Sequence, residues 1–220
     1  MKDLIRATAA CATALLLTSA TTQAQTLLVN GSFESNTTTP NPIGLAGVGQ
    51  GWSADFGSGA FTQSSAHAQN GSFSLLAQNA AGNNWNPQGS YQIVNATAGQ
   101  MYSLSAYFLA DTALTGTYGT PVGVQLSFFD AGLAGLGNAP GAAFVALGPL
   151  NTWNQYGVTG TAPVGTAYAA AYVWFMDNGQ TATDSVYIDN VSLSVVPEPS
   201  TLALLGLGSV VLLAIRRRRN

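Results

Sequence analysis

Met101-Tyr-Ser-Leu-Ser-Ala-Tyr-Phe-Leu-Ala110 decides the fold. Tyr102, Leu104, Ala106 and Phe108 fall on one side of an extended chain, and Ser103, Ser105 and Tyr107 on the other. Strict alternation of this kind marks a strand with one buried face, because successive side chains of an extended backbone point to opposite sides. Val122-Gly-Val-Gln-Leu-Ser-Phe-Phe-Asp130 repeats it, with Val122, Val124, Leu126 and Phe128 facing away from Gly123, Gln125, Ser127 and Phe129.

Working outward, further strands are predicted at Thr26–Val29, Ser72–Gln78, Ser90–Asn95, Ala142–Leu147, Trp153–Thr159, Ala167–Met176 and Ser185–Val195. Turn signals separate them at Asn70-Gly71, Ala98-Gly99, Gly132, Asn138-Ala-Pro-Gly141, Ala162-Pro-Val-Gly165 and Asn178-Gly179. No helix is predicted between the two ends, and no internal repeat is visible. So many short strands in one stretch predict an all-β fold, a single jelly-roll β-sandwich over residues 25–195. Residues 36–50 read as a surface loop, and Trp52 and Trp153 as core.

The ends carry different signals. Lys2 and Arg6 precede the apolar stretch Ala7–Leu17, and Thr22-Gln23-Ala24 follows, which reads as a secretory signal peptide over 1–24. Cys11, the one cysteine, lies inside it, so the exported domain has no disulfide. At the other end, Pro197-Glu-Pro199 is followed by the uncharged run Thr201–Ile215 and by Arg216, Arg217, Arg218 and Arg219. As a helix the run spans roughly 22 Å. That is short of the ~30 Å hydrocarbon core, a deficit that bilayer thinning and snorkelling arginines reduce. The run is apolar all round, so it reads as a short transmembrane helix, with the arginines held cytoplasmic.

Residues 196–220 closely resemble a PEP-CTERM sorting signal in Val196-Pro-Glu-Pro-Ser200, the apolar helix and the terminal arginines. The resemblance implies an exosortase-type sorting enzyme in a Gram-negative bacterium. It also implies transient anchoring in the inner membrane, cleavage near Pro197–Pro199, and release to the cell surface or extracellular matrix, as in a biofilm.

Charge narrows the function. All six Lys and Arg lie at Lys2, Arg6 and Arg216–Arg219, so residues 7–215 contain none. Nucleic acid is excluded as a partner, because phosphate binding needs basic side chains. Neutral glycans stay open. Carboxylates that meet in such a chain are more plausibly quieted by a metal ion than by arginine. His67 is the single histidine and the one side chain able to pair with a carboxylate. It reads as a loop residue with a solvent or backbone partner.

A second resemblance rests on Leu28-Val-Asn-Gly-Ser-Phe-Glu34, Gly51-Trp52, Asn70-Gly-Ser-Phe-Ser-Leu75, Ala98-Gly-Gln-Met-Tyr-Ser-Leu-Ser105, Trp153-Asn-Gln-Tyr156 and Tyr187-Ile-Asp-Asn-Val-Ser-Leu193. In this order they are similar to carbohydrate-binding modules of families 4, 9 and 22 and to the wider galactose-binding-like jelly-roll group. The resemblance implies a structural calcium site joining the first and last strands. Glu34 and Asp189 would be its carboxylate ligands, with backbone oxygens near Asn30 and Gly71 completing the shell. The alternative is that both carboxylates cap turns or face water.

Catalysis is not expected. No Gly-x-Ser-x-Gly elbow is present, one histidine cannot build a zinc site, and the spacing of the acidic residues suggests no glycosidase pair. For a glycan, aromatic faces and amides are the natural contacts. Tyr172 and Trp174 share one face of Ala167–Met176, opposite a small-residue face suited to a core. If their strands are neighbours, Tyr107, Gln125, Tyr172 and Trp174 line one concave surface; otherwise the aromatics are simply core. Trp85, among amides in Asn83-Asn-Trp-Asn-Pro-Gln88, is a second candidate. The expectation is a noncatalytic surface or matrix protein associating with neutral polysaccharide. The alternative is a structural or adhesive protein on the same scaffold, and a glycan-active enzyme is a third.

Overall fold

The computed structural model describes residues 26–35, 51–54, 60–78, 86–114, 122–140, 146–177 and 184–196. The leader, the 36–50 loop, Trp85 and the tail from 197 onward, with its expected helix 201–215, lie outside the described residues. Ten strands form: β1 (Ser53–Ala54), β2 (Ala60–Ser64), β3 (Ser74–Gln78), β4 (Asn86–Asn95), β5 (Met101–Leu109), β6 (Val122–Phe129), β7 (Gly135–Asn138), β8 (Asn154–Thr161), β9 (Tyr168–Asp177) and β10 (Ser185–Val195). Among the described residues there is no helix.

The strands pair antiparallel into two five-stranded sheets. Sheet A runs β1-β4-β9-β6-β7, and sheet B runs β2-β3-β10-β5-β8. The alternation read from the sequence is realised in the core. Tyr102, Leu104, Ala106 and Phe108 of β5 pack with Val122, Val124, Leu126 and Phe128 of β6, and with Ala169, Ala171, Val173 and Phe175 of β9. Each large side chain buried here contributes about 1.5–3 kcal/mol. The alanines of β9 let the two sheets approach around the bulky rings opposite them.

Thr26–Val29 is not a strand, although it is tied to both sheets. The Leu27 N–H donates to the Leu193 carbonyl at 2.7 Å in sheet B. From sheet A, Gln92 brackets Val29: Oε1 accepts the Val29 N–H at 2.7 Å and Nε2 donates to the Val29 carbonyl at 3.0 Å. A fully buried Gln92 side chain thus takes the place of a strand neighbour. Two residues on, Gly31 lies so close to β10 that a Cβ would fall 2.1 Å from the Val191 carbonyl oxygen.

Three strands were not expected, namely β1, β2 and β7, and the strand expected at Ala142–Leu147 lies mostly outside the described residues. Its residues 146 and 147 are outside any strand, and 141–145 lie outside the described residues. Trp52 is core as expected, but Trp153 is only half-buried, in the approach to β8.

Candidate functional site

The residues expected to hold a metal do come together, against the outer face of sheet B. Asp189 sits in β10 opposite Tyr107 of β5, just before an irregularity in their pairing. The loop between β2 and β3 folds over it, and Asp189 is fully buried. Its Oδ2 accepts the N–H groups of Gln69 at 2.8 Å and Asn70 at 3.3 Å, and its Oδ1 accepts the Asn190 N–H at 2.6 Å. Glu34 holds the next turn of the same loop. Its Oε1 accepts from Ser72 at 3.0 Å and Phe73 at 2.9 Å, and its Oε2 from Ser72 at 3.1 Å. Gly71 makes that approach possible. Its φ is +83°, and a Cβ there would lie 2.4 Å from Glu34 Oε1. Only glycine tolerates both conditions.

In a chain without nearby cations, the charge of both carboxylates is therefore met first by aligned backbone amides. Burial raises the Asp189 carboxyl above the ordinary aspartate range; the three amides oppose this, and the charge of Glu34 adds to it. A carboxylate offers about four lone-pair sites. With three bonds to each group, Asp189 Oδ1 and Glu34 Oε2 each retain room for one more partner. The donor set therefore fits a hard, oxygen-seeking cation only if carbonyl oxygens complete it, as calcium requires. Among the described residues no group of three or more His, Cys, Asp or Glu side chains is found. Asn30 departs from expectation. Its carbonyl already accepts the Trp52 indole N–H at 3.1 Å and the Phe33 N–H at 3.2 Å, while its side-chain Oδ1 accepts the Ser35 N–H at 3.0 Å. It is a scaffold for the turn, with both carbonyl lone pairs occupied.

His67, in the same loop, was expected to find solvent or backbone. Its Nε2 instead lies 3.4 Å from Asp111 Oδ2, and its ring packs edge-on against Tyr187 at 4.6 Å. Burial raises the Tyr187 phenol, and the charge of Asp111 and a hydrogen bond to it add to the effect, so the phenol stays protonated. The sequence shows one histidine but not which acid it meets, because Asp111 follows a strand that is distant in the chain.

The expected glycan contacts divide between the two sheets. Tyr172 and Trp174 of β9 point away from the inter-sheet core, and so does Gln125 of β6, which lies directly opposite Tyr172. Tyr91 of β4 flanks Tyr172 on its other side. The Tyr172 and Trp174 rings stack at 5.3 Å and 12°, and Tyr91 lies 5.3 Å from Tyr172. Gly89 and Gly123 are the cross-strand neighbours of Trp174. With Ile93 and Ala170 these rings form a second apolar cluster, rimmed by half-buried Phe129 and Tyr168. An amide and hydroxyl row borders it. Gln125 Nε2 donates to Ser127 Oγ at 2.9 Å, and Ser127 Oγ donates to Asn138 Oδ1 at 2.7 Å.

Two expectations need correction here. Tyr107 does not join this surface, because β5 belongs to sheet B, where Tyr107 lies between Asp189 and Gln155. Period-two patterning assigns a side chain to a face, not a strand to a sheet. Tyr172 and Trp174 are also largely covered, with relative exposures of 8% and 5%. Among the described residues the half-exposed large groups on this face are Gln125, Tyr168 and Phe129; only Gln125 is among the contacts expected from the sequence. Tyr168 was legible as a partner on the Tyr172 face; Phe129 was legible only as the solvent side of β6.

Residues 195–219 match the PEP-CTERM protein-sorting motif. No curated protein matches the chain. Among solved structures, a candidate sugar-binding protein from Bacteroides thetaiotaomicron is 14% identical; the match covers 78% of this chain and 100% of that one, with a TM-score of 0.52. A carbohydrate-binding module of the β-sandwich superfamily is 10% identical over 71% of this chain and 63% of its own, with a TM-score of 0.51. The enzymatically active domain of tailspike protein 4 from bacteriophage CBA120 is 14% identical over 78% of this chain, with a TM-score of 0.53, and this chain spans 21% of it. These likenesses show the fold. The chain carries a sorting motif behind a jelly-roll domain of the kind found in carbohydrate-binding modules.

Proposed function

We propose that this is an exported, noncatalytic surface or matrix protein whose sandwich associates with neutral polysaccharide across the outer face of sheet A. One observation carries the reading: an aromatic cluster, with an amide and hydroxyl border, lies on the side of sheet A that the sandwich core does not use. Sugar rings stack on aromatic faces, and their hydroxyls bond amides and hydroxyls. Residues 7–215 hold no Lys or Arg, so the polymer expected is uncharged. Gln125, Tyr168 and Phe129 are the contacts at hand, backed by the Tyr172–Trp174 stack. The sorting motif places a membrane anchor behind the domain before processing. Removal by an exosortase-type enzyme at Pro197–Pro199 would free the domain to the cell surface or matrix.

The low exposure of Tyr172 and Trp174 favours a second reading, a structural or adhesive protein whose sheet A aromatics only pack. Binding of the leaderless protein to neutral glycans, and to exopolysaccharide from the source cells, separates the two. Saturable binding that Gln125→Ala and Tyr168→Ala weaken supports the first reading; no binding by the unaltered protein establishes the second.

We also infer that Glu34 and Asp189, with carbonyl oxygens of the Gly71 loop, hold calcium. Bound there, the ion would supply positive charge that links the N-terminal segment, the β2–β3 loop and β10. Support comes from two adjacent carboxylates, one of them buried, each with one acceptor site left. At a hundredfold excess over its dissociation constant, calcium would add about 2.7 kcal/mol of stability. An unchanged melting temperature in chelator would count against it.

A further inference from the structure

The sandwich has two ends, and they differ in chemistry. At one end, Val196 leaves β10 with its N–H donating to the Met101 carbonyl at 2.8 Å. The turn from β4 to β5 and the turn from β8 to β9 lie beside it, joined by Gly99 N–H to the Ala162 carbonyl and Ala162 N–H to the Gln100 carbonyl, both at 2.9 Å. The β6–β7 turn adjoins them, since Ala167 N–H donates to the Phe129 carbonyl at 2.8 Å. Of the six exposed large apolar side chains among the described residues, Leu27, Met101, Leu133 and Val164 belong to this end, and Val164 is 94% exposed. Leu133 is telling. It is exposed at φ +64°, a left-handed conformation that glycine or asparagine adopts with less strain. The one described acidic side chain here, Asp130, is turned onto its own loop, where Oδ1 accepts from Gly132 and Ala134 at 2.9 Å. Glu34, Asp111, Asp184 and Asp189 lie further along or at the other end.

Chain length fixes what faces this end. From Val196 to Thr201, where the apolar run starts, there are only Pro197, Glu198, Pro199 and Ser200. Fully extended, that path reaches at most roughly 18 Å. The headgroup layer takes up roughly 6 Å of it. A domain held so closely by a membrane-inserted tail has little choice of which end faces the lipid.

We propose that, while the tail is in place, this end of the sandwich rests on the outer surface of the bilayer, with Val164, Met101, Leu133 and Leu27 seated at the headgroup boundary. The inference rests on the reading of the tail as a membrane anchor. It goes further by fixing the orientation. Trp174 then lies at the part of sheet A away from the membrane, towards the far end of β9 from the Ala162–Gly165 turn, while Tyr168 and Phe129 lie at the membrane end. Release of the tail would leave four apolar side chains in water, too few and too scattered to hold the domain to lipid alone.

The leaderless chain lacks cysteine, so single labels are clean. With the tail intact it is placed in phosphatidylcholine vesicles, carrying an environment-sensitive dye at Val164→Cys or, at the other end, Ala113→Cys. Quenching by nitroxide-headgroup lipid is expected to be at least threefold stronger at 164 than at 113. With the dye at Thr97→Cys, adding Val164→Asp and Met101→Asp is expected to lower quenching toward the level at 113. Protein that floats with the vesicles but is quenched equally at 164 and 113 overturns the seating and leaves the anchor reading intact. Protein that fails to float overturns both.

Discussion

The outer faces of the two sheets are built by the same alternation from very different residues. Sheet B turns Ser103, Ser105, Gln155, Thr159, Ser192 and Ser194 to solvent around Gly157, and reserves its one buried charge, Asp189, for the amide-rich loop that covers it. On sheet A the corresponding side carries Tyr91, Tyr172 and Trp174, all buried, and half-buried Tyr168 and Phe129. The core between the sheets needs neither set. Sheet B carries hydroxyls on its outer face; on the proposed reading, the rings of sheet A have a use in glycan contact beyond their packing. On that reading, sheet B's face serves stability, through the Glu34 and Asp189 cradle, and sheet A's serves glycan contact.

The sharpest break of this contrast is expected at the cradle. Asp189→Ala strands three backbone N–H groups and removes a proposed calcium ligand. It should cost about 2–4 kcal/mol in urea unfolding and abolish any calcium-dependent shift in melting temperature. A loss under 1 kcal/mol would mean that the loop does not depend on this carboxylate. Gly71→Ala should follow at about 1–3 kcal/mol, since it combines strain at φ +83° with displacement of Glu34. On sheet A, Tyr168→Ala should weaken glycan binding about tenfold or more, with a much smaller effect on stability. Equal losses of both would return that face to mere packing.

Acidity sharpens the same contrast. Because the native state holds the Asp189 proton more tightly than the unfolded chain does, this group alone makes the metal-free protein lose stability as pH rises from the ordinary aspartate range through its raised native value. Calcium should reverse the sign, because the ion favours the carboxylate. Melting temperatures across acidic pH, in chelator and in calcium, would show opposite slopes for the part that Asp189→Asn removes. The smallest effect is expected at Ser105→Ala, within about 0.5 kcal/mol and with glycan binding unchanged.

Much of this was legible in the sequence. β5, β6, β9 and β10 announce themselves by alternation, and the opposite faces of β9 were separable because one holds only small or aliphatic residues and Phe175, and the other the large amphipathic rings. Glu34 and Asp189 were paired through the resemblance of their motifs. What stayed hidden was non-local or carried by the backbone. Gly135-Leu-Gly-Asn138 has no strand-like composition and forms β7 only because β6 offers an edge. Tyr107 was assigned to the wrong surface because strand order within a sheet is not written in periodicity. The amides of Gln69, Asn70, Ser72 and Phe73, which answer the carboxylates, leave no mark in side-chain composition, so the residues alone leave a metal and turn-capping both open where backbone donors in fact supply much of the compensation.

The most direct test is titration calorimetry of the leaderless protein against neutral polysaccharides, including exopolysaccharide from the source cells, with Gln125→Ala, Tyr168→Ala and Ser105→Ala in parallel. Saturable binding is expected, weakened about tenfold or more by both sheet A variants and left intact by Ser105→Ala. No heat of binding from any glycan, or binding that survives both sheet A substitutions unchanged, would contradict it.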